Sequence, residues 1–568
     1  MRNNTFLSIS LLLGVSFIVF FRWMSFGIFT SGDWGFTFAE TYAESIKWSA
    51  WVSNFGLGQI DLLLWRVPVG SLFGFLGALG FDQNISEKLL VFWPSIILAN
   101  LSIFLISKKV VPSNLGATIA AFIFNLSTYY FVSSSAFLLY SSTSFLLVSL
   151  LFLMNALETK KIYQFIGFVI TFFITTFFDF RITYIGLFLL AGYGIYFEFI
   201  IKESSIVRVI KNLLIFIPIL VIVLFLNFYW MLPLSQSSLL TQNTVLNRGL
   251  FGNEFLNIFY AYTVSHPFWT GSFLAIFETQ KIQLHFWIIP FIAFFGLYLN
   301  KYNKKIYFFA IVALIGILLT KQAGSPFPTL YKWLFENFPG FNAFREASKF
   351  YFLILLGYAI LISAFTHTFY SWLNKKGKKV ISFLAVFFLL FILLWQVKPI
   401  LTGEIGTIYT QKQIPEDYKK IKKILLSDTE FYRTLWIPTI SRWSFYSKTH
   451  PEISGIEIIK NDWYPFVKNY DIEDYTEGEM LMEVMSGSYA DPLLDVSSVK
   501  YVIVPLVDDM NDDNFFIHYG LTRDEYITLF NDMPFLEKKE LGLSEIVVYE
   551  NKNFNPHAYL TKEKNVLS

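Results

Sequence analysis

Long apolar runs separated by short polar stretches recur along most of this chain. Runs at 6–29, 86–107, 113–132, 137–157, 162–178, 182–201, 212–231, 283–299, 306–320, 350–368 and 380–398 each approach the ~20 residues a helix needs to cross the hydrocarbon core. They predict about eleven transmembrane helices. A further apolar stretch, 62–80, is broken by Pro68, Gly70, Gly74 and Gly77, and predicts a re-entrant or interfacial segment. From about Thr407 charged and apolar residues mix. Pro415–Leu426 has the spacing of an amphipathic helix behind a proline start, and Tyr432–Pro438, Ser498–Pro505 and Glu545–Tyr549 alternate as strands. The predicted fold class is a polytopic α-helical membrane protein with a C-terminal α/β domain. Its predicted division is 1–398 for the transmembrane domain and 399–568 for a water-soluble domain outside the cell.

Composition narrows the function classes. Phe alone supplies 66 of 568 residues and charged residues only 15%, too few charges to cover this much apolar surface in water. The net charge of +2 is dispersed, with no extended basic face, so no nucleic-acid partner is expected. The absence of cysteine excludes disulfides, thiol catalysis and Cys-based metal sites. Residues 6–29 follow Arg2 with no small-residue cleavage site after them, and predict a retained signal-anchor.

Charge gives the sidedness. With the N-terminus inside, the short inner connections hold Lys108 and Lys109, Lys160 and Lys161, Lys202 with Arg208 and Lys211, Lys301 with Lys304 and Lys305, and the Lys375–Lys379 cluster, all basic as the positive-inside rule requires. Counting 62–80 as a full span would put these clusters outside. Four long segments, 30–85, 232–282, 321–349 and 399–568, are then expected on the outer face of the cytoplasmic membrane, where any chemistry would lie.

The first of them opens with Ser31-Gly32-Asp33-Trp34-Gly35. A carboxylate between glycines at a water–lipid boundary can turn back toward the bundle and take a proton from an acceptor hydroxyl; it can equally cap a following helix within Thr37–Trp51. Glu40, Glu44, Asp61 and Arg66 share this loop and read as surface charges. Arg22, near the outer end of the first span, reads as snorkelling to the headgroups.

An acid shortly after the first span, followed by a long loop, resembles the GT-C glycosyltransferase superfamily. Three further stretches narrow the resemblance: Asn227-Phe228-Tyr229-Trp230-Met231-Leu232-Pro233, Phe344-Arg345-Glu346-Ala347-Ser348-Lys349-Phe350 and Val499-Lys500-Tyr501-Val502-Ile503-Val504. In this order they are similar to the arabinofuranosyltransferase-like and YfhO-like branches. The resemblance implies a polytopic enzyme that takes sugar from a polyprenyl-phosphate donor and uses a carboxylate of the first outer loop, here Asp33.

The Arg345 stretch also has a physical reading. Pro339-Gly340 makes a turn, Asn342 is a candidate N-cap, and Arg345 and Lys349, four apart, would share one face of the helix that follows. At a helix N-terminus they would suit a phosphate; the alternative is that Arg345, Glu346 and Lys349 neutralise one another. Asp179-Phe180-Arg181 is wedged between two spans, where ionisable groups are costly and mark functional sites by default. They can pair locally or line the outer cavity, with Asp179 supporting the acceptor or a metal. His266, before Pro267 and near Trp269, is a weaker sugar-contact candidate. Asp508, Asp509, Asp512 and Asp513 lack EF-hand spacing and read as a solvated acidic loop.

The expected function is therefore an inverting membrane glycosyltransferase of the cell envelope. Asp33 and Asp179 are its candidate catalytic residues; Arg181, Arg345, Glu346, Lys349 and His266 are its candidate substrate-binding residues. The expected partners are a polyprenyl-phosphate sugar, a glycan or lipid acceptor and membrane lipids. No cofactor is required by the sequence, and a divalent cation is the one left open. The competing classes are a transporter or flippase of lipid-linked saccharides and a non-catalytic membrane scaffold.

Overall fold

The computed structural model describes residues 2–25, 27–30, 35–53, 56–132, 137–207, 216–235, 249–251, 257–266, 281–402, 411–443, 445–468, 475–509 and 514–556. It divides into two compact units. The first comprises Met1–Phe26, Leu64–Val69 and Glu87–Thr410; the second comprises Gly27–Leu63, Gly70–Ser86 and Gln411–Ser568.

The first unit is helical, and within the described residues each apolar run named above is mostly helical, although 113–132 divides between Asn114–Asn125 and Thr128–Val132, and 212–231 between Phe216–Leu226 and Phe228–Ser235. Five helical stretches are long and apolar enough to cross a membrane: Gln83–Val110, Leu138–Thr159, Phe180–Ile201, Ala347–Lys375 and Lys379–Thr402. Thr5–Val19, Ile162–Phe178 and Leu284–Leu299 are shorter apolar helices, and Lys304–Thr320 stands beside them. The protein is thus a membrane protein. The helix Tyr351–Lys375 is its centre, since every residue from Tyr351 to Ala364 is buried. Its neighbours approach closely because glycines line the contacts. A Cβ on Gly357 would fall 2.4 Å from the Phe309 carbonyl, and one on Gly296 would fall 2.3 Å from that of Leu361. Polar side chains inside the bundle bond to one another: Asn125 Nδ2 donates to Asn100 Oδ1 at 3.0 Å, and Asn100 Nδ2 donates to Ser16 Oγ at 3.0 Å.

The second unit joins the first loop to the tail. A short antiparallel pair, β1 (Trp51–Val52) and β2 (Gln59–Ile60), precedes a five-stranded sheet. That sheet comprises β3 (Arg433–Trp436), β4 (Glu452–Ser454), β5 (Val499–Val504), β6 (Leu536–Lys538) and β7 (Val547–Asn551) in the order β4-β3-β5-β7-β6. The β3 strand pairs parallel with β4 and β5, while β7 runs antiparallel to β5 and β6. The amphipathic helix is Glu416–Leu426. At its start the Asp417 carboxylate accepts backbone N–H groups of Ser544, Glu545 and Ile546, which ties the approach to β7 to this helix.

Residues of the first loop complete this unit's core. Phe36 and Phe38 pack with Tyr418, Trp436 and Trp443 on one face of the sheet, and Leu57 packs against the other. The Phe36 amide donates to the Arg442 carbonyl at 2.9 Å, the Leu57 amide to Asp462 at 3.0 Å, and Lys422 pairs with Glu40 at 2.9 Å. The unit is therefore not the tail alone; the loop sequence supplies two of its buried aromatic side chains.

Candidate functional site

The short junction between the helices Ile162–Phe178 and Phe180–Tyr196 is a single residue, Asp179, in extended conformation. Its side chain caps the second helix, with Oδ1 accepting from the Arg181 amide at 2.8 Å. The Arg181 guanidinium folds back on the same carboxylate, Nε 3.0 Å from Oδ1 and Nη2 2.6 Å from Oδ2. Ser142 Oγ holds the junction by donating to the carbonyls of Thr175 and Asp179 at 2.8 and 3.1 Å. Burial alone would raise the Asp179 carboxyl, but the charge and hydrogen bonds of Arg181, and the nearby charge of Arg66, hold it below the usual carboxylate range.

The Arg345 stretch approaches the same place. Arg181 experiences the charge of Glu346, and Lys349 those of Arg181 and Asp179. Two distant segments of sequence thus deliver Asp179, Arg181, Glu346 and Lys349 to one cluster.

The local geometry differs from the sequence expectation. Residues 341–343 form a 3-10 turn, Phe344–Glu346 is not helical, and a second 3-10 turn, Ala347–Phe350, precedes the helix Tyr351–Lys375. Asn342 is not the N-cap and Arg345 does not share a helical face with Lys349. The cause is a clamp from elsewhere in the chain. The Phe251 amide donates to the Arg345 carbonyl at 3.0 Å, and Gln322 Nε2 donates to the carbonyls of Phe251 and Arg345 at 2.9 and 2.8 Å. Tyr331 OH donates to the Phe344 carbonyl at 2.7 Å. These bonds hold the backbone extended where the helix would otherwise begin.

Glu346 pairs with Lys349 and accepts from Ser348 Oγ. Although 40% of the Glu346 side chain is accessible, burial would raise its carboxyl; the Lys349 ammonium first, then Ser348 and Arg181, outweigh this and hold it at about 2. Arg345 is half-buried, its guanidinium 5.6 Å from the centre of the Phe251 ring, and it forms no salt bridge among the described residues.

His266 belongs to this neighbourhood but does not present a face. Its amide donates to Thr128 Oγ1 at 2.9 Å, and its ring lies between Tyr129 and Tyr351, 6.5 and 5.7 Å away. Burial pushes its pKa down to about 4, against a weaker opposing pull from Glu346. It is neutral at physiological pH, so it adds no positive charge to the cluster.

Asp33, Trp34, Pro267, Trp269, Asp512 and Asp513 lie outside the described residues. The flanks of Asp33 are anchored within the second unit: the Thr30 carbonyl accepts from Lys412 Nζ, and the Phe36 amide is bonded as described above. Of the loop residues read as surface charges, Glu40 and Glu44 are bonded within the second unit, and Asp61 accepts from the Leu63 amide. Arg66 is not a surface charge. It is half-buried and acts electrostatically on Asp179. The only sequence signal for it was its place inside the broken apolar stretch 62–80. Arg22 reaches the Leu401 carbonyl at 3.3 Å. Among the described residues no group of three His, Asp or Glu side chains could hold a metal.

An apolar cleft of about 410 Å³ adjoins the cluster. One wall is the helix that starts at Arg181, through Tyr184, Phe188, Gly192 and Tyr196; the facing wall is Lys304–Thr320, through Phe308, Ile311 and Ile315. Phe341 and Phe350, which bracket Arg345, Glu346 and Lys349 in sequence, also line it. Tyr184 to Tyr196 is twelve residues, or ~18 Å of helix.

No family model and no curated protein matches the sequence. The fold is similar to the cryo-EM structure of the arabinofuranosyltransferase AftD from mycobacteria, with a TM-score of 0.55 and 12% identity over 95% of this chain. The chain spans 41% of that protein's length. The fold resemblance read from the sequence is thereby found in the structure.

Proposed function

We propose that this protein is a membrane glycosyltransferase that moves a sugar from a polyprenyl-phosphate donor to a glycan or lipid acceptor at the outer face of the cytoplasmic membrane. The observation that carries the reading is the continuity of two chemistries on one helix. Arg181 at its start belongs to a cluster of buried charged groups, and the residues after it line an apolar cleft. A polyprenyl phosphate has the same two parts, an anionic head and a long hydrocarbon tail. The fold shared with an arabinofuranosyltransferase supports the same class.

In this mechanism an acceptor hydroxyl oxygen attacks the anomeric carbon as the bond from that carbon to the phosphate oxygen breaks, and the configuration inverts. The electron pair leaves with the phosphate, whose charge grows from one to two. Arg181, Arg345 and Lys349 are preorganised to stabilise that increase, which is where fixed charges lower a barrier most. Asp179 holds Arg181 in position. Glu346 does the same for Lys349. The acceptor proton passes to a base, assigned to Asp33 on its sequence position. Buried, neutral His266 packs the site.

The test is transfer from an isotopically labelled polyprenyl-phosphate sugar by the purified full-length protein. Transfer is expected in the wild type and its loss, by at least about a hundredfold, in Asp33→Asn. Wild-type rates in that variant would remove Asp33 as the base, and no transfer by the wild type to any glycan or lipid acceptor would overturn the reading.

A further inference from the structure

We infer that Arg66 is a further cation of this phosphate site, contributed by the first long loop and set in place by an aromatic clamp of Trp65, Phe180 and Trp230. The inference rests on the donor-phosphate reading above and adds to it a residue from a third region of the chain.

The geometry begins at the junction itself. Phe180 stands between Asp179 and Arg181, and its ring meets the Trp65 ring edge-on at 4.7 Å between centroids. Trp230 completes the group, 6.2 Å from Trp65 and 6.0 Å from Phe180. Two members of the group are held by hydrogen bonds. Trp230 Nε1 donates to Asn227 Oδ1 at 2.7 Å, while Asn227 Nδ2 donates to the Val223 carbonyl at 2.7 Å. Tyr229 OH donates to the Trp65 carbonyl at 2.9 Å, and so fixes the backbone next to Arg66. The Asn227-Phe228-Tyr229-Trp230 stretch therefore fastens the short 3-10 turn Leu64–Arg66 to the Asp179 junction.

The chemistry follows from that placement. Arg66 ends this turn, and its charge acts on the Asp179 carboxylate, which is already held at two points by Arg181. Arg66, Arg181 and Lys349 act on a cluster whose carboxylates are Asp179 and Glu346, and Arg345 stands next in sequence. Cations gathered from separate segments around a buried junction suit a ligand that is itself anionic. Guanidiniums from two sides match the fork of phosphate oxygens better than one. The Arg66 guanidinium lies 5.8 Å from the centre of the fixed Trp65 ring, so part of its rotamer freedom is already restricted before binding.

The experiment measures binding of a long-chain polyprenyl monophosphate to the full-length protein in nanodiscs of neutral lipid. Arg66→Gln, Arg66→Lys, Trp230→Leu, the Arg66→Gln/Trp230→Leu double variant and Lys349→Gln are compared, with unfolding midpoints recorded alongside. Arg66→Gln is expected to weaken binding about tenfold, equivalent to ~1.4 kcal/mol, and Arg66→Lys to recover part of it. Trp230→Leu is expected to weaken binding by about threefold, and the double variant no more than Arg66→Gln alone, because both changes remove one contact. Wild-type binding by Arg66→Gln, with loss in Lys349→Gln, would overturn the role of Arg66 and leave the donor-phosphate reading standing. Additive effects in the double variant would overturn the clamp. Failure of the wild type to bind the monophosphate at all would overturn both readings together.

Discussion

Arg181 closes on Asp179 from two residues along the chain, with Nε 3.0 Å from one carboxylate oxygen and Nη2 2.6 Å from the other. The Asp179 side chain is 4% accessible, so the charge it carries is tolerated because this partner is present. Arg181→Gln is expected to cost about 3 kcal/mol of stability by stranding a buried carboxylate. Adding Asp179→Asn should return more than half of that loss. Denaturant unfolding in micelles measures both, and an additive double variant would contradict the pairing.

His266 makes stability depend on pH. Its pKa is about 4 in the folded protein and near 6.5 in the unfolded chain. Between those values the unfolded state binds the extra proton, so stability falls as pH drops from about 6.5 to 4. The full effect approaches ~3 kcal/mol. Thermal unfolding at pH 7.5 and 5 should show a drop in the wild type that His266→Gln largely lacks. Glu346 acts lower: its carboxyl is held at about 2, so its contribution is present above the unfolded value near 4.3 and is lost only as pH falls from there toward 2.

Gln322 positions Arg345 without touching ligand. Gln322→Leu removes the donor to two carbonyls while keeping the volume of the side chain. A loss of about 2 kcal/mol is expected, with KM for the donor rising more than kcat falls. Unchanged KM would mean the clamp supports the fold and not the site.

Gly192 faces open space in the cleft, since a Cβ there meets nothing within 4 Å. Gly192→Trp should fill the cleft without disturbing the bundle. Affinity for long-chain donors is then expected to fall about tenfold, or ~1.4 kcal/mol, with little change for a donor carrying a single isoprene unit. Equal losses for both would contradict a tail in this cleft.

The helices were legible because lipid selects apolar runs, and each run named from the sequence is mostly helical within the described residues. The amphipathic helix at Glu416 and strands β3, β5 and β7 were legible from local alternation. Strands β4 and β6, three residues each, carry too few positions to alternate. The Asp179–Arg181 and Glu346–Lys349 pairs could be read because their members are near neighbours in sequence. The extended backbone at Arg345 could not, since Gln322 imposes it from 23 residues away and Phe251 from much farther back in the chain. Arg66 was hidden for the same reason: its clamp, Trp230, lies far along the chain, and a lone arginine in a loop resembles any other solvated charge.

The most direct test of the account is photocrosslinking with a polyprenyl phosphate that carries a diazirine along its isoprenoid tail, mapped by mass spectrometry on the full-length protein. Label is expected on cleft residues such as Phe188, Ile311 and Ile315, and competition with unmodified polyprenyl phosphate should remove it. Label confined to the helix Lys379–Thr402, or unaffected by the competitor, would contradict the claim that the cleft and the charged cluster together hold the donor.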